Sequence, residues 1–242
     1  MTLTILPLEG LPEVGPGADL AELVTRSRSL EHGDVVVLAQ KIVSKAEGRV
    51  VRLDDVEPSQ RARELAGTED DARHVEVILR EARRIVRTRG PLVIAETRHG
   101  FVCASAGVDA SNAPERGTLV LLPLDADASA RGIRERIGEL KGRNVAVVVS
   151  DSFGRPWRQG TTDVAIGVAG LTPLLDLRGT KDATGYELRS TQIAVADELA
   201  GAAELVMGKA ARVPGAVIRG YRASGDGSAR DLVMPAERDL FR

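Results

Sequence analysis

The chain has 242 residues, 43% of them hydrophobic, with 33 Lys+Arg against 35 Asp+Glu and a formal net charge of −2. That length buries a sizeable core, in one large or two small domains, and the charge gives no electrostatic case for nucleic-acid or membrane partners. Aromatic residues make up 2%, too few for base-stacking platforms. The single cysteine, Cys103, excludes an intrachain disulfide or a multi-cysteine zinc site, and its apolar neighbours read as those of a buried structural thiol. No signal-like segment follows Met1 and no apolar run approaches membrane length, so a soluble cytoplasmic protein is expected.

Thr2–Leu8 reads as a short strand that runs into the breaker-rich loop Glu9–Gly17. Asp19 then starts a helix with Leu20, Leu23 and Val24 on one face. A strand over Asp34–Leu38 leads into Gln40-Lys41-Ile42-Val43-Ser44-Lys45, where the two lysines have helical spacing and share a face. A solvated helix face explains such a pair, and so does a phosphate held between two ammonium groups. Between Pro58 and Arg89 the stripe Ala72, Val75, Leu79, Ala82, Val86 predicts a helical region, with His74 on its exposed side. Leu92–Glu96 and Phe101–Ala106 predict two strands joined by a hairpin turn at Thr97–Gly100. The oxygen-rich turn Ala106–Asn112 follows, and backbone hydrogen bonding alone accounts for Asp and Asn in such turns.

Thr118–Leu122 reads as a strand and Asp125–Leu140 as a helix that buries Ala130, Ile133, Ile137 and Leu140. The densest stretch is Val145–Gly170, VAVVVSDSFGRPWRQGTTDVAIGVAG. An apolar run from Val145 to Val149 predicts a buried strand that breaks at Ser150-Asp151-Ser152. A polar loop carrying Arg155 and Arg158 follows, then a second apolar run from Val164 to Ala169. Polar groups at the exit of a buried strand are held in a fixed place, where chemistry is usually done. Here they are oxygen donors for a hard metal and two arginines for anions. Ser190 is expected to cap a helix running to Met207, followed by Gly208-Lys209-Ala210 and a closing strand over Ala216–Arg219. The tail from Tyr221 is rich in Gly, Ser and charge, with Leu240-Phe241 placed to dock.

Taken together, SDSFGRPWRQGTTDVAIGVAG, LLDLRGTKDATGYEL, VSKAEGR and GVDASN closely resemble the coenzyme F420-0 γ-glutamyl ligase family, from Leu6 to about Tyr221. The resemblance implies a mixed α/β ligase fold, neither P-loop nor Rossmann, with a ligase domain over 1–220, of one or two subdomains, and a C-terminal tail over 221–242. It implies GTP and L-glutamate as co-substrates of coenzyme F420-0, two divalent ions (Mg2+ or Mn2+), K+ as a further ion, and a homodimer. Some relatives continue into a nitroreductase-like domain that this sequence does not include. By position in the motifs, Asp109, Asp151 and Ser152 are implied as metal ligands, with Asp109 and Asp151 catalytic. Leu11, Pro12, Glu13, Val14, Gln40, Lys41, Lys45, Asn112, Met207, Gly208, Lys209 and Ala210 are implied around GTP. Two departures stand out: Glu13 replaces a more apolar residue, and Lys209 stands where the family can carry an acid or amide. A lysine has three donors and no acceptor, so it either leaves a metal position to water, supplies positive charge beside the triphosphate, or caps the helix end.

Common nucleotide signatures fail. Gly201 to Lys209 is two residues too long for a Walker A loop and has Ala210 in place of its hydroxyl; Gly15-Pro16-Gly17 lacks the third glycine of a dinucleotide fold. No Gly-x-Ser-x-Gly elbow or His-Glu-x-x-His helix is present. GTP use therefore rests on the resemblance. Amide formation through an acyl phosphate makes chemical sense of the residues: metal and Lys45 would bring two repelling anions together, with Arg155 and Arg158 as anchors for substrate phosphate or carboxylate. A metal-dependent phosphohydrolase and a GTP-binding module without turnover remain as other readings of the same groups.

Overall fold

The computed structural model describes residues 2–67, 71–90 and 92–240. Strands run over Thr4–Pro7 (β1), Val35–Ala39 (β2), Val50–Arg52 (β3), Ala82–Arg89 (β4), Leu92–Thr97 (β5), Val102–Ala104 (β6), Thr118–Val120 (β7), Ala146–Arg155 (β8), Arg158–Ala169 (β9), Leu175–Asp176 (β10), Gln192–Ile193 (β11) and Gly215–Arg219 (β12). Helices run over Leu20–Ser27 (α1), Gln40–Ala46 (α2), Gln60–Ala66 (α3), Ala72–Glu81 (α4), Ala126–Lys141 (α5) and Val195–Met207 (α6). The result is the expected mixed α/β fold.

Its centre is a five-stranded sheet in the order β1-β12-β2-β8-β9, parallel only between β2 and β8. Val35–Leu38 and Val145–Val149 are continuous apolar runs because both faces of this sheet are covered. Successive side chains point to opposite faces. Val36, Leu38, Val147 and Val149 therefore pack with α1, α2 and α5, whereas Val35, Val37, Ala146 and Val148 pack with α6. The helix starts at Asp19 and Asp125 follow from their side chains, which accept from the Glu22 and Ala128 N–H groups at 2.9 Å. Helix α5 lies so close on β9 that a Cβ at Gly167 would meet the Ala126 carbonyl oxygen at 2.3 Å. A third cluster joins α4 to β5, β7 and the loops around them, through Val77, Ile78, Val93, Ala95, Val108 and Leu119.

Four expectations about these elements need correction. The helix ends at Glu81, and Ala82–Arg89 is a strand, antiparallel to β5 with two register shifts. The β-branched Ile85 and Val86 favour that state, and a partner strand supplies hydrogen bonds that local periodicity cannot reveal. His74 on α4 is half-buried rather than exposed. The strand entering Ser150 does not break there: β8 pairs with β9 as far as Arg155↔Arg158, with bulges after Val149 and Gly154, and turns through Pro156-Trp157. Finally, Ser190 caps nothing. The short strand β11 intervenes, and α6 begins after Ala194 without a side-chain cap, its first turn carrying Asp197 and Glu198 toward the positive end of the helix dipole.

The tail is tied to the body at Asp127, which accepts from Ser228 Oγ at 2.6 Å and from the Ala229 N–H at 3.0 Å. Leu240 is exposed and does not dock; Phe241 lies outside the described residues.

Candidate active site

Where β2 stops, the chain turns at once into α2, and β8 runs on past it with only β9 beside it. This leaves a polar edge on Ser150–Phe153 just outside the packed sheet. Helix α2 brings Lys41 to that edge. Its Nζ donates to Asp109 Oδ2 at 2.6 Å, to the Ser111 carbonyl at 2.9 Å and to Ser111 Oγ at 2.6 Å. One turn on, the buried Lys45 pairs with Glu13, which is largely exposed. Both lysines of the predicted face thus point at carboxylates, and neither is a solvated helix charge. Gln40, fully buried, accepts from Ser44 Oγ at 2.8 Å and leaves its Nε2 without a hydrogen-bond acceptor among the described residues.

Asp109 is delivered by a strained turn. Ser105, Ala106 and Gly107 adopt φ of +53°, +51° and +73°, conformations that cost non-glycine residues energy. At Gly107 a Cβ would also collide with Leu122 at 2.6 Å. The backbone of Asp109 then bridges Val120, and its carboxylate accepts from the Ser111 N–H at 2.7 Å and from Ser111 Oγ at 2.9 Å. Burial works to raise this carboxyl, but Lys41 and Ser111 outweigh it and hold it below the usual range. Asn112, also left-handed at φ +54°, donates through Nδ2 to the Lys209 carbonyl at 3.3 Å. Two stretches nearly a hundred residues apart, both implied around GTP, meet there.

Asp151 and Ser152 are neighbours on β8, so their side chains leave in opposite directions. Asp151 is only partly exposed. Burial pushes its carboxyl up to about 7; Asp163 and Asp109 add repulsion, while the Ser152 N–H and Lys41 oppose it. Ser152 Oγ donates to Asp163 Oδ1 at 2.7 Å. Glu204 on α6 is raised by its own burial and by Asp163, and lowered by Lys209. Asp163 and Glu204 are two acids that motif reading missed. Asp163 was legible only through the register that sets it opposite Ser152.

Other implied residues stand differently. Val14 and Met207 are core residues and Leu11 packs against the core, while Pro12 and Ala210 are exposed. Gly208 closes α6 with φ +55°. Arg155 and Arg158 face each other at the solvent-exposed tip of the β8–β9 hairpin, beside Trp157, which is 82% exposed. Cys103 is buried, and burial together with Asp151 pushes its thiol up to about 12, so it is not a nucleophile.

Among the described residues, no three His, Cys, Asp or Glu side chains gather as a metal site. The Asp109 and Asp151 carboxylates and, on the opposite side of β8, the Ser152 hydroxyl are nevertheless oxygen donors of the kind Mg2+ takes, to be completed by phosphate oxygens and water. The crowding of Asp163 and Asp109 on Asp151 is a repulsion that a cation would relieve. The donor set therefore fits a hard divalent ion.

An α/β/α sheet with ammonium groups and carboxylates converging at its edge is a scaffold for handling anionic substrates. The comparisons make that class specific. The chain belongs to the F420-0:gamma-glutamyl ligase family, which residues 10–220 match. It is 48% identical to the coenzyme F420:L-glutamate ligase of Methanopyrus kandleri, over 100% of this chain and 98% of that one. It is 44% identical to the protein of the same name from Methanothermobacter thermautotrophicus, over the whole of both. With that of Methanocaldococcus jannaschii the identity is 45%, over 94% of this chain and 92% of the other.

Proposed function

We propose that the chain is a GTP- and divalent-metal-dependent ligase that joins L-glutamate to coenzyme F420-0 and extends the product by further γ-linked glutamates. Ligase membership and the names of its full-length relatives support the glutamate–F420 chemistry. The observation that carries the nucleotide part is the cluster of Lys41, Asp109 and Asn112 against Lys209, with Lys45 one turn away.

Carboxylate and amine do not condense unaided, because an oxide is a poor leaving group. The substrate carboxylate takes the γ-phosphoryl group of GTP, the bond from the γ-phosphorus to the bridging oxygen breaks, and GDP leaves with an acyl phosphate formed. The glutamate amine attacks its carbonyl carbon, the C–O bond to phosphate breaks, and inorganic phosphate leaves with the amine's proton lost to solvent or a base. Asp109 and Asp151 would hold one divalent ion and Ser152, on the other side of β8, would contribute to a second; together they would supply charge neutralisation between the two anions. Lys45, freed from Glu13, binds triphosphate oxygens, and Asn112 keeps the Lys209 backbone in place beside them. Lys41 holds Asp109 ionised and aimed. Arg155 and Arg158 are the proposed anchors for the phosphate or carboxylate of the acceptor.

Mass spectrometry after incubation with coenzyme F420-0, GTP, Mn2+ and glutamate tests the reading. Increments of one glutamyl residue, with phosphate release dependent on glutamate, are expected. Phosphate release without glutamate and without a mass increment would instead identify a phosphohydrolase.

A further inference from the structure

Asp163 is only 4% exposed, and it sits on β9 directly opposite Ser152 in the antiparallel register. Its Oδ1 accepts from Ser152 Oγ at 2.7 Å and its Oδ2 from Ser150 Oγ at 2.8 Å. Ser150 is itself buried, so the carboxylate plane is fixed from both ends.

A serine hydroxyl has one proton to give and two lone pairs to offer. With its proton committed to Asp163, Ser152 presents only lone pairs on its other side. It is then unsuited to donate a hydrogen bond to a phosphate oxygen and well suited to ligate a cation. We infer that Asp163 is the positioning residue that fixes Ser152 as an oxygen ligand for a divalent metal ion, with Ser150 locking the opposite carboxylate oxygen. The inference rests on the metal-dependent reading above. Asp163 touches neither metal nor substrate and acts through Ser152 alone. Outer partners of this kind typically change metal affinity by about 10- to 100-fold.

Asp163→Asn keeps the size of the side chain but replaces one acceptor with a donor. One of the two serines must then reverse its hydroxyl or lose its partner. Mn2+ binding, followed by electron paramagnetic resonance of the free ion with and without GTP, is expected to weaken about 10-fold or more, while metal-free GTP binding stays like the parent's. The double variant Ser152→Ala/Asp163→Asn should bind Mn2+ no more weakly than Ser152→Ala, because both changes remove one ligand. A purely structural Asp163 would lower the melting temperature and leave Mn2+ affinity intact. That result, or losses that add in the double variant, overturns the inference. If Asp163→Asn does not fold, Ser150→Ala takes its place. It frees one carboxylate oxygen and spares Ser152, so Mn2+ binding about threefold weaker is expected and parent-like binding overturns the inference. A parent protein that binds no Mn2+ even with GTP overturns the functional reading and this inference together, whereas parent-like Mn2+ binding by the variants removes this inference alone.

Discussion

The β8–β9 hairpin has two halves that share one hydrogen-bond ladder and little else. In the inner half, Val147, Val148 and Val149 are fully buried between helices and pair with Gly167, Val168 and Ala169. In the outer half, Ser150, Asp151 and Ser152 turn toward acids, hydroxyls and a lysine, and the tip at Trp157 lies in solvent. The change falls where β2 ends and α2 takes over. A strand anchored in a dry core can therefore carry polar groups a few residues beyond it with no loss of precision. Apolar packing belongs to one half and polar pairing to the other.

The largest expected effect separates the halves. Val148→Asp would bury an uncompensated charge against α6, at a cost of about 3–5 kcal/mol, and should abolish the cooperative melt followed by circular dichroism. Asp109→Asn lies on the outer side of the division. It should keep the fold and lower ligation at least about 100-fold, roughly 3 kcal/mol of transition-state stabilisation. A variant that ligates at the parent rate would remove Asp109 from the site.

Lys45→Met comes next. Its ammonium is buried beside Glu13 and, on this account, exchanges that carboxylate for phosphate. Calorimetry should show GTP binding weakened by about 1.5–3 kcal/mol, the worth of a hydrogen bond to a charged group. Unchanged affinity would mean that Lys45 serves only the ion pair.

The smallest effect concerns pH. Asp151 is raised to about 7 by burial and by neighbouring acids, from an ordinary value of 3.8. Between those values the folded protein holds a proton that the unfolded chain has lost, so stability of the metal-free protein should fall as pH rises from about 4 through 7. Partial exposure limits the loss to about 2 kcal/mol. Asp151→Asn should flatten that slope in thermal melts. An equally steep slope in the variant would show that another group causes it.

Much of this was legible from residues alone. Asp19 and Asp125 announce helix starts, the valine runs announce strands covered on both faces, and Leu92–Ala106 announces a hairpin. The ligase motifs pointed to Lys41, Asp109, Asn112 and Lys209, which the fold places in contact. What escaped depends on partners distant in sequence. Ala82–Arg89 becomes a strand because β5 is there to pair with it. Asp163 becomes the hydrogen-bond partner of Ser152 because register sets it opposite. Likewise, Glu13 looks like a loop residue until Lys45 is placed beneath it. Periodicity reports which face a residue occupies and is silent about what faces it.

The central claim is that the outer half activates a carboxylate by phosphorylation. Coenzyme F420-0 labelled with oxygen-18 in its carboxylate tests it most directly. After one turnover with GTP, metal and glutamate, the account predicts one labelled oxygen in the released inorganic phosphate, since the acyl C–O bond breaks and phosphate keeps the bridging atom. Amide product accompanied by unlabelled phosphate would contradict it.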